Sequence, residues 1–360
     1  MVLEKIYKIC MRLDLMGRGF VRFLLRLSSQ EDITNIFDYN EIIRNRPDND
    51  SRILFSNRYY GMSYILKKYS GFKKTINTAI EHAPGLDIDM TGEYKIPESP
   101  STLVCATQRK NYLREKSDKP IWAIGPSIHY AESILSDFYI SAMKDALGKT
   151  LLVYPLHDIE DFHYLQDTES FIKYVKSIQE KYGYKTVLVS MYFVDIERGR
   201  HLAFQKEGWT IVSAGRRENY DFNNIMKAII KLADYAIFQA YASALGYCVY
   251  LKVPVTIWHQ PFLFVENGVE KKQTDNGIKP GMMQELEDMF SDYSEQITKE
   301  QYNFCNYWFG YDDVKKPEEL RLLLDYISRI KPKMTKKQLL KIASRKKYSN
   351  IKEIIQKGIY

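Results

Sequence analysis

Cysteine is scarce in this chain and forms no cluster. Four cysteines are spread over 360 residues, at Cys10, Cys105, Cys248 and Cys305. None belongs to a CxxC pair, and no histidine stands near them at the spacing of a metal site. Scattered cysteines indicate free thiols in a reducing compartment and argue against a zinc site.

Long apolar runs are also missing. No segment approaches the roughly 18 consecutive apolar residues of a membrane-spanning helix. The N-terminal segment lacks the unbroken apolar core and the small-residue cleavage site of a signal peptide. These absences predict a cytoplasmic protein without a membrane span.

The common glycine-rich nucleotide loops are absent as well. Gly148-Lys149-Thr150 looks like the end of a P-loop, but Met143 stands where the first glycine is needed, and the segment leads into a strand instead of a helix. No GxGxxG follows a predicted strand, which disfavours a dinucleotide cofactor. The segment 87–89 spells a DxD metal–nucleotide motif, but no apolar strand precedes it.

Positive charge is concentrated at the two ends of the chain. The net charge is +7, and residues 331–360 alone carry ten Lys or Arg and one acid. Residues 1–27 carry six bases and two acids among bulky apolar side chains. Both ends could lie on an anionic membrane surface, although residues 1–27 could equally pack on their own domain. No recognised nucleic-acid module accompanies the tail, so we expect no nucleic-acid partner.

Short β-rich runs alternate with helical stretches, which predicts parallel sheets flanked by helices. The predicted strands are Ile53–Ser56, Leu103–Ala106, Ile121–Ile124, Leu151–Tyr154, Val187–Met191, Thr210–Ser213, Tyr235–Phe238 and Val255–Trp258. A break near Gly148 separates two groups. We predict one α/β domain over residues 1–147, a second over residues 148–330 and a basic helical tail over residues 331–360.

Two predicted strands of the second domain end in residues suited to phosphate. His157-Asp158 follows one strand, and Gly215-Arg216-Arg217 follows another. Histidine can donate to a phosphate oxygen, with the aspartate orienting it, and arginine can form a bidentate pair. Because parallel α/β sheets bind ligands at the carboxyl ends of their strands, these residues would meet if the strands are neighbours.

A third strand end is rich in small residues. The turn Ala240–Ser243 follows Tyr235–Phe238 and leads into a helix that begins near Ala244–Gly246. The first N–H groups of a helix suit an anion such as a nucleotide diphosphate. The alternative is that these small residues serve only the close packing of a parallel α/β unit.

Two loops of the first domain carry polar groups. Glu81-His82 opens the loop EHAPG, where a histidine beside a carboxylate can act as a general base. The alternative is a surface histidine in a turn. Gly125 and Ser127 belong to IGPSIHY, which follows a predicted strand and could be a polar ligand loop or only a turn.

In order, the motifs EHAPG, GPSIHYAESIL, GKTLLVYPLHD, VSAGRR and LADYAIFQAYASALGYCVYLKVPV resemble those of bacterial capsule and lipopolysaccharide glycosyltransferases of the two-domain GT-B type. They are more distantly similar to CDP-glycerol glycerophosphotransferases and bacterial sialyltransferases. The resemblance covers about residues 75–260. It implies an α/β fold of two Rossmann-like domains facing across a cleft, with the nucleotide donor in the C-terminal domain and the acceptor and base in the N-terminal domain.

The resemblance also implies roles for single residues. His82 matches the catalytic base, with Glu81 beside it, and His157 matches a ligand of the donor phosphate. Ser243 and Gly246 match the small-residue phosphate turn. The remaining expected donor-site residues are Gly125, Ser127, Asp158, Gly215 and Arg216.

Several positions depart from the family pattern. Ala83-Pro84 replaces a glycine, Leu156 and Asp158 replace small serines, Arg216 replaces a histidine, and Ala242 and Ala244 flank Ser243 where Gly-Thr-His is usual. Such changes are compatible with altered donor specificity or with decayed activity.

The expected function is sugar transfer from a nucleotide-sugar donor to a lipid-linked or growing surface polysaccharide, in capsule or O-antigen biosynthesis. The resemblance implies an enzyme without a metal or a cofactor other than its nucleotide-sugar co-substrate. The basic tail and the N-terminal segment would hold this cytoplasmic enzyme at the inner face of the cell membrane. Two alternatives stay open: a CDP-polyol phosphotransferase of the same fold, and a non-catalytic sugar- or nucleotide-binding protein of a polysaccharide assembly complex.

Overall fold

The computed structural model describes residues 35–44, 55–82, 84–86, 93–96, 99–158, 162–165, 167–258, 263–266, 269–272 and 282–331. They form a mixed α/β structure with parallel sheets, as the sequence predicts. Residues 1–27, the DxD motif and, beyond Lys331, the basic tail lie outside the described residues. Over the described ranges, no helix combines the length and the apolar character needed to cross a bilayer.

The small sheet has three parallel strands in the order β1-β2-β3. They are β1 (Ala79–Ile80), β2 (Thr102–Val104) and β3 (Ile121–Ala123). The described α-helices before residue 148 are α1 (Tyr39–Arg44), α2 (Met62–Ser70), α3 (Thr107–Arg114), α4 (Ser127–Tyr130) and α5 (Asp137–Leu147).

The strand predicted at Ile53–Ser56 is wrong over its described residues, because Phe55 and Ser56 begin a kinked 3-10 segment, Phe55–Gly61. Strand β1 was not predicted, because two residues are too few to show the alternation of a strand.

The large sheet has five parallel strands in the order β7-β6-β4-β8-β9. They are β4 (Thr150–Tyr154), β6 (Thr186–Ser190), β7 (Thr210–Val212), β8 (Tyr235–Phe238) and β9 (Val255–Ile257). All five were predicted, with small shifts at their ends. An antiparallel sheet joins β5 (Phe162–Leu165), β10 (Leu263–Glu266) and β11 (Val269–Lys272).

The remaining helices flank the large sheet or follow it. They are α6 (Thr168–Tyr182), α7 (Phe193–Glu197), α8 (His201–Gln205), α9 (Phe222–Leu232), α10 (Ser243–Tyr250), α11 (Met282–Phe290), α12 (Lys299–Phe309) and α13 (Pro317–Ile327). Helix α6 begins where the Asp167 carboxylate accepts the Ser170 N–H at 3.0 Å, and it ends at left-handed Gly183.

Strand β4 lies in the middle of the large sheet and is buried on both faces. Leu151 and Val153 pack into a core with α6, whereas Leu152 packs on the other face with α9. A strand covered on both faces reads as a continuous apolar run, which is why LLVY is visible in the sequence.

The two ends of the described chain pack on distant parts of the molecule. Ile42 and Ile43 of α1 enter the cores beside the large sheet. Leu320 and Leu324 of α13 pack against Leu66 of α2, beside the small sheet. The domain limits at residues 147 and 330 stay a prediction, and these contacts tie each end of the chain to the opposite sheet.

Polar side chains also join helices α2 and α4, which precede residue 148, to helix α10, which follows the large-sheet strand β8. The Ser127 hydroxyl on α4 lies 2.9 Å from the Tyr247 hydroxyl on α10. His129 lies between Tyr69 and Tyr250, with its Nε2 3.1 Å from one hydroxyl and its Nδ1 2.6 Å from the other. These contacts hold α2, α4 and α10 together.

Candidate functional site

A cavity of about 310 Å³ lies at the carboxyl ends of strands from both parallel sheets. His82 follows β1 of the small sheet, and residues 155–157, 191–192, 214–215 and 240–243 follow β4, β6, β7 and β8 of the large sheet. Strand ends of neighbouring parallel strands open on one edge, which is why the sites of α/β proteins form there.

Three basic side chains line the described part of the cavity wall, and one of them, Arg217, also lies 3.1 Å from the Glu218 carboxylate. His82, His157 and Arg217 are the wall's side chains able to carry positive charge, and the described part of the wall has no carboxylate. Across the described residues, no group of three or more His, Cys, Asp or Glu is arranged to hold a metal ion. The wall therefore suits an anionic ligand.

Helix α10 points its N-terminus at the cavity. Ala242, Ser243 and Ala244 line the wall, and Ala242 is the extended residue before the first helical turn. The first amides of a helix have no partner within the helix and lie at the positive end of its dipole. Ser243 thus lies where the small-residue turn was expected to meet an anion.

Buried tyrosines supply neutral hydrogen-bonding groups. Tyr241 and Tyr247 line the cavity, and the Tyr241 hydroxyl donates to the Pro84 carbonyl at 2.9 Å. Burial raises the pKa of both phenols, so each keeps its proton at neutral pH. The wall therefore combines neutral phenol hydroxyls with imidazole and guanidinium groups.

Asp158 does not line the cavity, although it adjoins His157. Its carboxylate is buried and pairs with Arg198 and Arg200, each at 2.6 Å, and it accepts the Tyr164 N–H at 2.8 Å. The exposed His157 is left on the wall, with its Nδ1 3.1 Å from the Asp158 carbonyl oxygen. Asp158 anchors the loop that presents His157.

Glu81 has the same relation to His82. The Glu81 carboxylate is buried, lies 2.7 Å from the Arg109 Nε and accepts the Cys105 N–H at 2.7 Å. Arg109 also donates to the Gly85 carbonyl at 2.5 Å. These bonds tie the loop on both sides of His82, so Glu81 lies behind the histidine and outside the cavity.

The arginine on the wall is Arg217, not Arg216. Arg216 lies over the Phe193 ring at 4.1 Å, pairs with Glu197 and donates to the Ile43 carbonyl at 3.0 Å. These contacts turn it toward α1 and α7. Of the two adjacent arginines, only Arg217 therefore lines the cavity.

Of the expected glycines, only Gly215 lines the cavity. Gly125 has a φ of +78°, and a Cβ there would lie 2.6 Å from a methyl carbon of Val314. At Gly246 a Cβ would collide with the Phe309 ring. Both positions require glycine because another segment packs directly against the backbone, not because a ligand approaches.

Ser127 lies just behind the wall. Its hydroxyl contacts Tyr247 and accepts a hydrogen bond from the Asn223 amide at 3.3 Å, and both partners line the cavity. Tyr60 and Asn223 also lie on the wall, and neither was expected from the sequence. The abundance of tyrosine was the available signal, but composition does not say which tyrosines meet.

Comparisons with known proteins give distant structural similarities. No family model matches the chain, and no curated protein matches it. Solved structures similar to it include a UDP-GlcNAc 2-epimerase from Neisseria meningitidis bound to UDP-GlcNAc, at 11% identity and a TM-score of 0.32, covering 64% of this chain and 60% of the epimerase. The wall teichoic acid polymerase TagF aligns at 14% identity and a TM-score of 0.33, covering 79% of this chain and 68% of the polymerase. TM-scores this low carry no argument about function.

Proposed function

We propose that the chain is a glycosyltransferase that binds a nucleotide-sugar donor in this cavity and passes the sugar to a lipid-linked or growing surface polysaccharide, of the capsule or O-antigen kind. The observation that carries the proposal is the wall itself: His82, His157, Arg217 and the start of α10, with no carboxylate among its described residues. Such a wall suits a nucleotide diphosphate. The motif series adds the expectation of sugar transfer.

The donor phosphates would lie against the large sheet. His157 and Arg217 would donate to phosphate oxygens, and the first amides of α10 would add the positive end of the helix dipole. Negative charge grows on the leaving phosphate as its bond to the sugar breaks. Fixed donors aimed at that charge stabilise the transition state.

The acceptor would meet the donor beside His82, which comes from the small sheet. In the proposed step, His82 takes the proton of an acceptor hydroxyl while that oxygen attacks the anomeric carbon. The nucleotide leaves with the electron pair of the broken bond. Imidazole is the side chain that enzymes use most often as a general base.

The proposal keeps three expectations from the sequence. The enzyme uses no metal and no cofactor besides the nucleotide sugar, it does not bind nucleic acid, and it works in the cytoplasm at the inner face of the membrane. Residues 1–27 and 331–360 would hold it on anionic lipid through their lysines and arginines.

The test is thermal-shift binding with UDP, CDP, CMP, GDP and their sugar conjugates. Variants of Arg216 and Arg217 serve as control and test, because the two arginines are adjacent and only Arg217 lines the cavity. We expect one nucleotide class to stabilise the wild type, and Arg217→Ala and His157→Ala to weaken its binding about tenfold or more. Arg216→Ala should leave binding unchanged, since that side chain lies against Phe193 and the Ile43 carbonyl and does not line the cavity.

Two results would count against the proposal: no shift with any nucleotide in folded protein, or an equal loss in both arginine variants. Binding without any transfer would favour the assembly-complex protein. Mass spectrometry of the product distinguishes a transferred sugar from a transferred polyol phosphate.

A further inference from the structure

Two adjacent tyrosines, Tyr59 and Tyr60, lie between His82 and Arg217, and we call them the tyrosine bracket. The Tyr59 ring meets the His82 ring edge-on at 5.4 Å, and the Tyr60 ring stacks on it at 5.9 Å with a tilt of 27°. On the other side, the Arg217 guanidinium lies 4.7 Å from the Tyr59 ring centre. One dipeptide therefore contacts both candidate functional groups.

The backbone of Tyr60 adopts a conformation that side-chain-bearing residues rarely take. Its φ is 58° and its ψ is 20°, which lies in the left-handed region. Backbone outliers of this kind persist only where the surroundings hold them, and they cluster at functional sites. The contacts of Tyr60 therefore show what holds its left-handed backbone in place.

Those contacts come from the loop after β7 and the start of α9. The Tyr60 N–H donates to the Arg217 carbonyl at 2.5 Å, and the Asn223 amide donates to the Tyr60 carbonyl at 2.8 Å. The Phe222 ring meets the Tyr60 ring edge-on at 4.8 Å. The large sheet thus sets the conformation of a residue that stacks on a histidine of the small sheet.

We propose that the tyrosine bracket positions the His82 ring and holds it at a fixed place relative to Arg217 on the cavity wall. Tyr59 and Tyr60 are positioning residues in this proposal, because both rings contact the His82 ring, although Tyr60 also lines the cavity. The consequence for catalysis rests on the proposed function: a general base must lie within hydrogen-bond reach of its proton, and small misplacements are costly.

The test reads the His82 ring directly in the ligand-free, full-length chain. Histidine Cε1–Hε1 signals are recorded by NMR from ring-labelled protein, and the His82 signal is assigned with His82→Gln. Tyr60→Leu removes the stacked ring, so the His82 signal should shift more than that of any other histidine. Tyr60→Phe keeps the ring and should return the signal to its wild-type position.

Tyr64→Leu is the control, since the exposed Tyr64 ring meets Tyr220 instead. An unmoved His82 signal in folded Tyr60→Leu protein would overturn the proposal. Should Tyr60→Leu not fold, Tyr59→Leu removes the edge contact without changing the left-handed residue, and the same criterion applies.

A second arm adds the nucleotide that stabilises the wild type. If none binds, the proposed function fails, whereas the positioning result in ligand-free protein still stands or falls by itself. If a donor is found, Tyr60→Leu should lower kcat roughly 10- to 100-fold with the donor KM nearly unchanged, and Tyr60→Phe should restore it. Equal changes in both constants would contradict positioning.

Discussion

The loop that carries His82 and the loop that carries His157 use the same two kinds of residue in opposite order. Glu81 precedes one histidine, and Asp158 follows the other. Each carboxylate is almost fully buried and paired with arginine, at 2% and 1% exposure, whereas each histidine lines the cavity. In both loops the acid therefore anchors the backbone and the histidine is the group available to a ligand.

The two anchors differ in how much water reaches the arginines. Arg109, the partner of Glu81, is 0% exposed, whereas Arg198 and Arg200 are 28% and 27% exposed. A buried guanidinium cannot replace a lost carboxylate with water, whereas a partly exposed one can. This difference indicates a rigid loop at His82 and a more adaptable one at His157.

Breaking the Glu81 anchor should have the largest effect. Glu81→Gln removes the carboxylate charge that lies 2.7 Å from the buried Arg109 Nε, so the free energy of unfolding should fall by about 3–5 kcal/mol, measured by urea denaturation. Replacing both partners together, with Arg109→Met added, should recover part of the loss. A drop below about 1 kcal/mol would mean that the pair contributes like a surface ion pair.

Breaking the Asp158 anchor should cost less. Asp158→Asn removes a charge that accepts bonds from Arg198 and Arg200, and the same denaturation experiment should give a loss of about 1–3 kcal/mol. The exposed His157 is the control: His157→Ala should change stability by less than about 0.5 kcal/mol. A loss as large as that of Glu81→Gln would erase the distinction between the two anchors.

The smallest expected effect is a pH dependence of the free energy of unfolding, caused by Asp195 beside the Asp158 anchor. Asp195 accepts a bond from Arg200 at 3.0 Å, and burial raises the pKa of its carboxyl above the ordinary 3.8. The folded chain then holds this proton more tightly than the unfolded chain. Stability from this group is therefore greatest when it is protonated and declines as the pH rises above about 3.8.

Asp195→Asn lacks that titration. Urea denaturation over a pH series that starts below 3.8 should therefore show the wild type losing stability relative to the variant as the pH rises. A constant difference between the two proteins across the series would contradict a raised pKa at Asp195.

The fold could be predicted where the physical signal is local. The strands of the large sheet are buried apolar runs such as Leu151–Tyr154, and their alternation with helices predicts a parallel sheet. Strand β1 and the kinked turn at Tyr60 escaped prediction, because both depend on partners far along the chain. The site was partly predictable: His82, His157, Gly215 and Ser243 lie on one cavity wall, as expected for strand ends.

For the remaining site residues, the sequence did not predict which side chains face the cavity, because spacing does not encode side-chain direction. Arg216 and Arg217 are adjacent, yet only Arg217 lines the cavity, because Arg216 meets Phe193 and Glu197. Glu81 and Asp158 turn inward toward arginines that lie 28, 40 and 42 positions away in the chain. An acid beside a histidine looks like a catalytic pair in sequence, and only the buried arginine reveals it as an anchor.

By itself, the sequence determined the class of fold and the strand ends that carry polar groups, because burial of apolar strands and turns at small residues are properties of short segments. The tertiary structure alone decided which groups share the cavity and what holds them. The order of strands β7-β6-β4-β8-β9 brings His157, Gly215 and Ser243 to one edge. The bracket at Tyr59 and Tyr60 then joins His82 to Arg217 through contacts between residues distant in the chain, and such contacts exist only once both sheets have packed.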